Sequence, residues 1–91
     1  MKNGEEMVLY VVHGNTYYEG YGHVESIFGI YTEKKDAETA KDLMIQKLYE
    51  KNKDDIETYV EDIEDIEVDI TEIDANELVE IELGGYYEWL N

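Results

Sequence analysis

Apolar and polar positions near the start of the chain follow the period of β-strands. Residues 7–12 read MVLYVV, a β-branched and aromatic run with apolar side chains on both faces, which favours a central strand. Residues 13–23 are rich in Gly and Asn and predict a hairpin loop. Residues 24–31 predict a second strand, in which strict alternation would place on one face Val24, Ser26, Phe28 and Ile30.

A helical period follows. We expect the helix to begin near Thr32, with Asp36 and Glu38 where a helix start favours acids. Its apolar stripe, at a spacing of 3.6 residues, contains Ala37, Ala40, Met44 and Leu48. The same spacing recurs further along and predicts a second, short helix, whose stripe contains Ile56, Tyr59, Val60 and Ile63.

The pattern returns to alternation at residue 66. Inward apolar residues and outward polar residues at 66–71 predict a half-buried strand. The alternation breaks at Glu72 and Ile73, which predicts a bulge or a strand end near Thr71. Residues 77–83 alternate again and predict a fourth strand, with Glu80 and Glu82 outward.

The order of these elements predicts the fold class. Two strand pairs flank the helical residues, which gives the order ββααββ. We expect an α+β fold: a four-stranded, mostly antiparallel sheet with one long and one short helix packed on one face. The chain of 91 residues is predicted to form a single domain over residues 1–91.

The charge of the chain is extreme and uneven. There are 24 acids and seven lysines, with a formal net charge of −17. Residues 54–91 carry fifteen of the acids and no basic residue. Direct binding to nucleic acid is therefore excluded, because phosphate contacts need cations, and anionic membranes would be repelled as well. No run approaches the ~20 apolar residues of a membrane span, and nothing at the N-terminus resembles a signal peptide. We expect a soluble, cytoplasmic protein.

Catalytic and metal-binding motifs are weak in this sequence. There is no cysteine, and no motif for a nucleophile or for phosphate binding is recognisable. His13 and His23, with Glu19 between them, are conceivable ligands of a metal, but exposed loop residues are the simpler interpretation. We predict no catalytic residue, no metal and no cofactor. A small acidic enzyme remains the third-ranked alternative.

The stretch DDIETYVEDIEDIEVDITEIDANELVEIE, residues 54–82, holds fourteen carboxylates and predicts a binding surface. Alternate strand residues lie roughly 6.6 Å apart, close to the spacing of phosphates along a nucleic-acid strand. The acids predicted to face a partner are Asp54, Asp55, Glu57, Glu61, Asp62, Glu64, Asp65, Glu67, Asp69, Glu80 and Glu82. Tyrosines of the Gly-rich loop are predicted as secondary anchors, although they could instead close the core: Tyr17, Tyr18 and Tyr21.

Two resemblances rest on these residues. The short length, the acidic stretch 54–82 and the lack of catalytic motifs resemble phage-encoded anti-defence proteins, particularly anti-CRISPR and other DNA-mimic inhibitors. Residues 9–40, LYVVHGNTYYEGYGHVESIFGIYTEKKDAETA, followed by IELGGYYE at 81–88, look like a family of small uncharacterised phage and bacterial domains. That second likeness concerns the fold and implies no function.

The first resemblance implies a non-enzymatic inhibitor. Its carboxylates would stand in for phosphates against a basic nucleic-acid-binding partner, such as a CRISPR effector nuclease. The alternative is a small soluble structural or regulatory domain, with a homodimer possible, whose acidity serves only solubility. The dependence of binding on salt concentration distinguishes the inhibitor from the structural domain. Binding through charges weakens as ionic strength rises, whereas a hydrophobic dimer is not weakened.

Overall fold

A computed structural model of the chain describes residues 7–19, 22–75 and 85–86. Its elements follow one another as strand, strand, helix, a single 3-10 turn and two further strands. Their bounds are β1 Val8–Asn15, β2 His23–Tyr31, α1 Lys34–Asn52, the 3-10 turn Ile63–Asp65, β3 Val68–Asp74 and β4 Gly85–Tyr86.

β1 is the central strand, as its two apolar faces predict. It pairs antiparallel with β2 on one side and with β3 on the other, which gives a three-stranded sheet in the order β2-β1-β3. Val11 and Val12 point to opposite faces of the sheet and are 1% and 0% exposed. β4 adds only two residues, paired with the start of β2. β1 also extends three residues into the predicted loop, through Asn15.

The fold is α+β, but the predicted four-stranded ββααββ architecture is wrong. The described residues form a three-stranded core sheet and one α-helix. The predicted short helix is replaced by turns and the 3-10 turn. Like charges four residues apart, as at Glu57 and Glu61, destabilise so short a helix, whose nucleation is already unfavourable. The predicted fourth strand, 77–83, lies outside the described residues.

The irregularity of the sheet lies in β2, not near Thr71 as predicted. β1 and β3 pair without a shift from Val8 to Gly14. In β2 the register moves by one residue, because Val12 pairs with Gly29 and His13 pairs with Ile27. Phe28 is therefore the extra residue of a bulge, and it packs against the core.

This bulge breaks the predicted alternation of β2. Phe28 and Tyr31 both pack against the helix side of the sheet, although the alternation placed them on opposite faces. Ile27 and Ile30 remain 51% and 55% exposed. The face predicted for the second strand therefore holds through Phe28 and is wrong from Gly29 onward.

The long helix is confirmed, and its apolar stripe faces the sheet. Ala37 and Leu48 are buried, and Ala40 and Met44 pack beside them. The helix lies against β1, β2 and β3. It begins after Glu33, one residue later than the predicted cap. Within the described part of the chain, no helix has both the length and the apolarity that crossing a membrane requires.

We predict that Gly14→Ala destabilises the protein strongly. A Cβ at Gly14 would meet the carbonyl oxygen of Glu67 and lie 2.8 Å from Val68 Cα, and both belong to backbone that cannot move without breaking the β1–β3 pairing. The expected loss in the free energy of unfolding is about 2–3 kcal/mol, measured by urea denaturation.

The matched control is Gly29→Ala on the neighbouring strand. There a Cβ would meet only the outer ring atoms of Tyr31, which can rotate away. We expect a loss of about 1 kcal/mol or less. Equal losses in the two variants would contradict the close backbone approach at Gly14.

Candidate functional site

The acidic segment, residues 54–69, lies on the surface. The structure describes nine of the eleven acids predicted to face a partner, and eight of these nine are exposed. The exception is Asp65, which is half-buried. Glu80 and Glu82, and the loop residue Tyr21, lie outside the described residues. The structure therefore leaves eight of these acids exposed along one stretch of chain, although the short helix that was predicted to carry most of them does not form.

Tyr18 holds this segment from beneath. Its side chain is 1% exposed, and its hydroxyl accepts a hydrogen bond from the Glu67 N–H at 2.9 Å. Its backbone carbonyl accepts from the Tyr59 N–H at 3.1 Å, and the two rings meet edge to face with centroids 5.7 Å apart. Burial raises the pKa of Tyr18 to about 12. Tyr18 therefore joins the core and offers no surface to a partner, which removes it from the predicted anchors.

Tyr17 keeps the exposure that a binding anchor needs. Its side chain is 39% exposed, and its ring lies against Gly22. Gly22 has a φ of 137°, a backbone conformation that other residues rarely adopt. Of the three predicted tyrosine anchors, Tyr17 is thus the one that the structure leaves at the surface of its described part.

Asn15 is a buried residue that positions the site, and the sequence did not point to it. It is 1% exposed, and its side-chain oxygen accepts from the N–H groups of Tyr17 and Val24 at 3.0 and 2.9 Å. Its backbone N–H donates to the Glu67 carbonyl at 2.9 Å. The available signal was an Asn beside Gly in a turn-rich stretch, because Asn side chains bond to backbone two residues on.

Three aspartates of the segment shape its backbone. Asp55 Oδ1 accepts from the Glu57 N–H at 3.0 Å, and Asp62 Oδ1 accepts from the Glu64 N–H at 3.0 Å. Asp65 Oδ2 accepts from the N–H groups of Glu61 and Asp62 at 2.8 and 3.2 Å, and these bonds lower its pKa. Part of the acid content is therefore structural.

In the part of the chain that the structure describes, no lysine forms an ion pair with the other carboxylates of the segment, and Lys53, which directly precedes it, attracts Asp54. Within the described ranges, the one ion pair between a lysine and a carboxylate joins Lys53 to Glu50 at 3.3 Å, and both residues precede the segment. The remaining lysines lie on α1 or at residue 2. The acidic segment therefore carries a concentrated negative charge that faces solvent.

The two histidines meet at a buried carboxylate, but it is Glu25, not Glu19. His13 Nδ1 lies 2.6 Å from Glu25 Oε2, and His23 Nε2 bonds to Glu25 Oε1. Glu19 is exposed. The parts of the chain described here contain no group of three or more His, Asp or Glu side chains placed to hold a metal ion. The pairing of β1 with β2 explains why the histidines are close, as the predicted hairpin implied.

Glu25 is held in its ionised form. Burial alone would raise its pKa, since its side chain is 7% exposed, but the hydrogen bonds from His23 and His13 outweigh burial and lower the pKa. An ionised carboxylate only accepts hydrogen bonds, so the ring nitrogens that face it carry protons. In a neutral His13 ring, Nε2 then accepts from the Thr71 hydroxyl, which lies 2.6 Å away.

This polar cluster also touches the acidic segment. His23 Nδ1 lies 3.7 Å from Glu67 Oε1. The backbone of Glu67 thus bonds to Asn15 and Tyr18, and its side chain lies near His23. The cluster links β1, β2 and β3 on the sheet face opposite α1.

We predict that Tyr18→Phe loosens the attachment of the acidic segment. The Glu67 N–H loses its acceptor, which should cost about 1–2 kcal/mol in the free energy of unfolding. The Glu67 amide should also exchange with solvent faster than in the parent protein, as followed by NMR hydrogen exchange. Tyr17→Phe is the control, with an expected change within ~0.5 kcal/mol. An unaltered Glu67 exchange rate in Tyr18→Phe would contradict the proposed anchor.

A pH-dependent contribution to stability should come from Glu25. Because its folded pKa is lower than its ordinary value of 4.5, its stabilisation is present above pH 4.5 and is lost as pH falls through the folded pKa. We expect the parent protein to exceed Glu25→Gln in the free energy of unfolding near neutral pH, and this difference to shrink as the solution is acidified below pH 4.5. Glu19→Gln is the exposed control. A difference that is independent of pH would refute this account.

No protein-family model, no curated protein and no solved structure matches this chain.

Proposed function

We propose that this protein is a non-enzymatic inhibitor that presents the acidic segment to a basic nucleic-acid-binding protein, such as a CRISPR effector nuclease. The observation that carries the proposal is a run of exposed carboxylates with no lysine partner in the described residues. Carboxylates in this role occupy the places of phosphates against Lys and Arg. The partner and the protein meet in the cytoplasm.

Electrostatics support such a partner. Unpaired carboxylates repel each other in the free protein, and a cationic surface relieves that repulsion on binding. The same charge speeds the encounter, most strongly at low salt. Nucleic acid itself is repelled, so the partner is a protein that carries the cations.

The scaffold supports mimicry because it holds the acids in place. Asp69 belongs to β3 and stands opposite His13 of β1 in the sheet. Glu67 is held at both its backbone groups by Asn15 and Tyr18. Acids that are ordered before binding lose less conformational entropy in the complex, which favours affinity.

No catalytic step is part of the proposal. The clustered titratable groups of the described chain are His13, Glu25 and His23, and their polar atoms bond to each other and to Thr71. Such a cluster fastens strands to one another. A substrate would have to compete with these bonds.

The test is inhibition of DNA cleavage by purified CRISPR effector nucleases loaded with guide RNA. One variant neutralises the segment with Glu57→Gln, Glu61→Gln and Glu64→Gln. The matched control neutralises three exposed acids around α1 with Glu33→Gln, Glu38→Gln and Asp42→Asn. Each triple variant removes three negative charges from the formal net charge of −17.

We expect the segment variant to raise the inhibitory concentration roughly tenfold, as three exposed ion pairs would, and the control to change it little. Inhibition should weaken as salt is increased and as competing duplex DNA is added. Equal effects of the two triple variants, or inhibition insensitive to salt, would count against mimicry. A stable homodimer that inhibits none of the nucleases would favour the alternative of a structural domain.

A further inference from the structure

Ile56 is the most exposed large apolar side chain in the described part of the chain. It is 97% exposed, against 66% for Leu43 on α1. The sequence placed Ile56 on the buried stripe of a short helix, but that helix does not form. Of the four residues of that predicted stripe, only Val60 is buried, while Tyr59 and Ile63 are 45% and 39% exposed.

The backbone around Ile56 is held by hydrogen bonds on both sides. The Asp55 N–H donates to the carbonyl of Asn52, the last residue of α1, at 3.1 Å. The Thr58 N–H donates to the Asp55 carbonyl at 3.0 Å, and the Thr58 hydroxyl lies 2.9 Å from the Asn52 carbonyl. A turn tied to the helix end in this way presents Ile56 outward as a fixed feature.

The immediate neighbours of Ile56 are carboxylates. Asp54, Asp55 and Glu57 flank it, and all three are exposed. An apolar side chain surrounded by acids is complementary to an apolar pocket with a cationic rim. Burying an isoleucine removes apolar surface from water, and a partner surface made only of Lys and Arg would not provide that burial.

We propose that Ile56 is the apolar anchor of the acidic segment, and that its partner is a protein surface on which Lys and Arg surround an apolar pocket. This inference rests on the proposed function, because it concerns the same segment and the same class of partner. It adds that charge alone does not account for the binding. Tyr59 and Ile63 follow on the same segment and are also partly exposed.

The test uses two synthetic peptides with the same number of lysines. One is oligolysine, and the other is a helical peptide with lysines on one face and leucines on the other. Binding is measured by fluorescence anisotropy for the parent protein, for Ile56→Ser and for Leu43→Ser. Leu43→Ser is the matched control, since it removes an exposed apolar side chain that lies on α1, outside the acidic segment.

We expect the parent protein to bind the amphipathic peptide about tenfold more tightly than oligolysine, which corresponds to burial of one aliphatic side chain. Ile56→Ser should abolish most of that difference, and Leu43→Ser should preserve it. Urea denaturation should show equal stability for Ile56→Ser and the parent protein, because the side chain is solvated in the fold.

Either of two results would overturn the inference: equal affinity of the parent protein for both peptides, or a preference that survives in Ile56→Ser. Oligolysine separates this failure from failure of the proposed function. If the segment variant with three glutamines binds oligolysine as tightly as the parent protein does, the acidic surface itself is not the binding site. If that variant binds more weakly but Ile56→Ser behaves as the parent, only the anchor is wrong.

Discussion

The attachment of Glu67 to the end of β1 and to Tyr18 in the loop that follows is the constraint on which the rest of the structure depends. The Asn15 N–H donates to the Glu67 carbonyl, and the Tyr18 hydroxyl accepts from the Glu67 N–H. Gly14 leaves room for the Glu67 backbone, which a Cβ at that position would meet. The last two residues of β1 and Tyr18 in the loop after it therefore hold the acidic segment against the central strand. The bonds lie in or beside the core, where an unpaired backbone group would be costly, so the arrangement is held firmly.

This attachment offsets a charge distribution that opposes folding. Unpaired carboxylates along residues 54–69 repel one another, and a short helix of these residues would place several of them on adjacent turns. The chain instead forms turns in which Asp55, Asp62 and Asp65 bond to backbone N–H groups. Acids at these positions satisfy the backbone, and the glutamates beside them remain in solvent. Within one segment, some acids thus stabilise the backbone and others stay exposed to solvent.

The local pattern of apolar and polar residues correctly predicted the elements that bury one regular apolar face. Periods of 2.0 and 3.6 residues predicted β1, the inward apolar residues of β3 and the long helix. An apolar face with either period has to be buried, whatever element it packs against. The bulge at Phe28 does not follow from pattern, since it depends on how β2 pairs with β1. The pattern likewise does not predict that Tyr18 is buried beneath residues 59–67, because this contact joins positions that are far apart in the sequence.

The sequence by itself determined that residues 54–91 carry fifteen acids and no basic residue, and this composition predicts a cationic partner rather than nucleic acid. Composition and spacing decide these properties, and no fold can alter the count of charges. Only the tertiary structure decided which residues serve the surface and which serve the core. Tyr18 was predicted at the surface and is buried, whereas Ile56 was predicted on a buried stripe and is exposed. Burial depends on contacts between distant segments, and the periodicity of one segment does not contain that information.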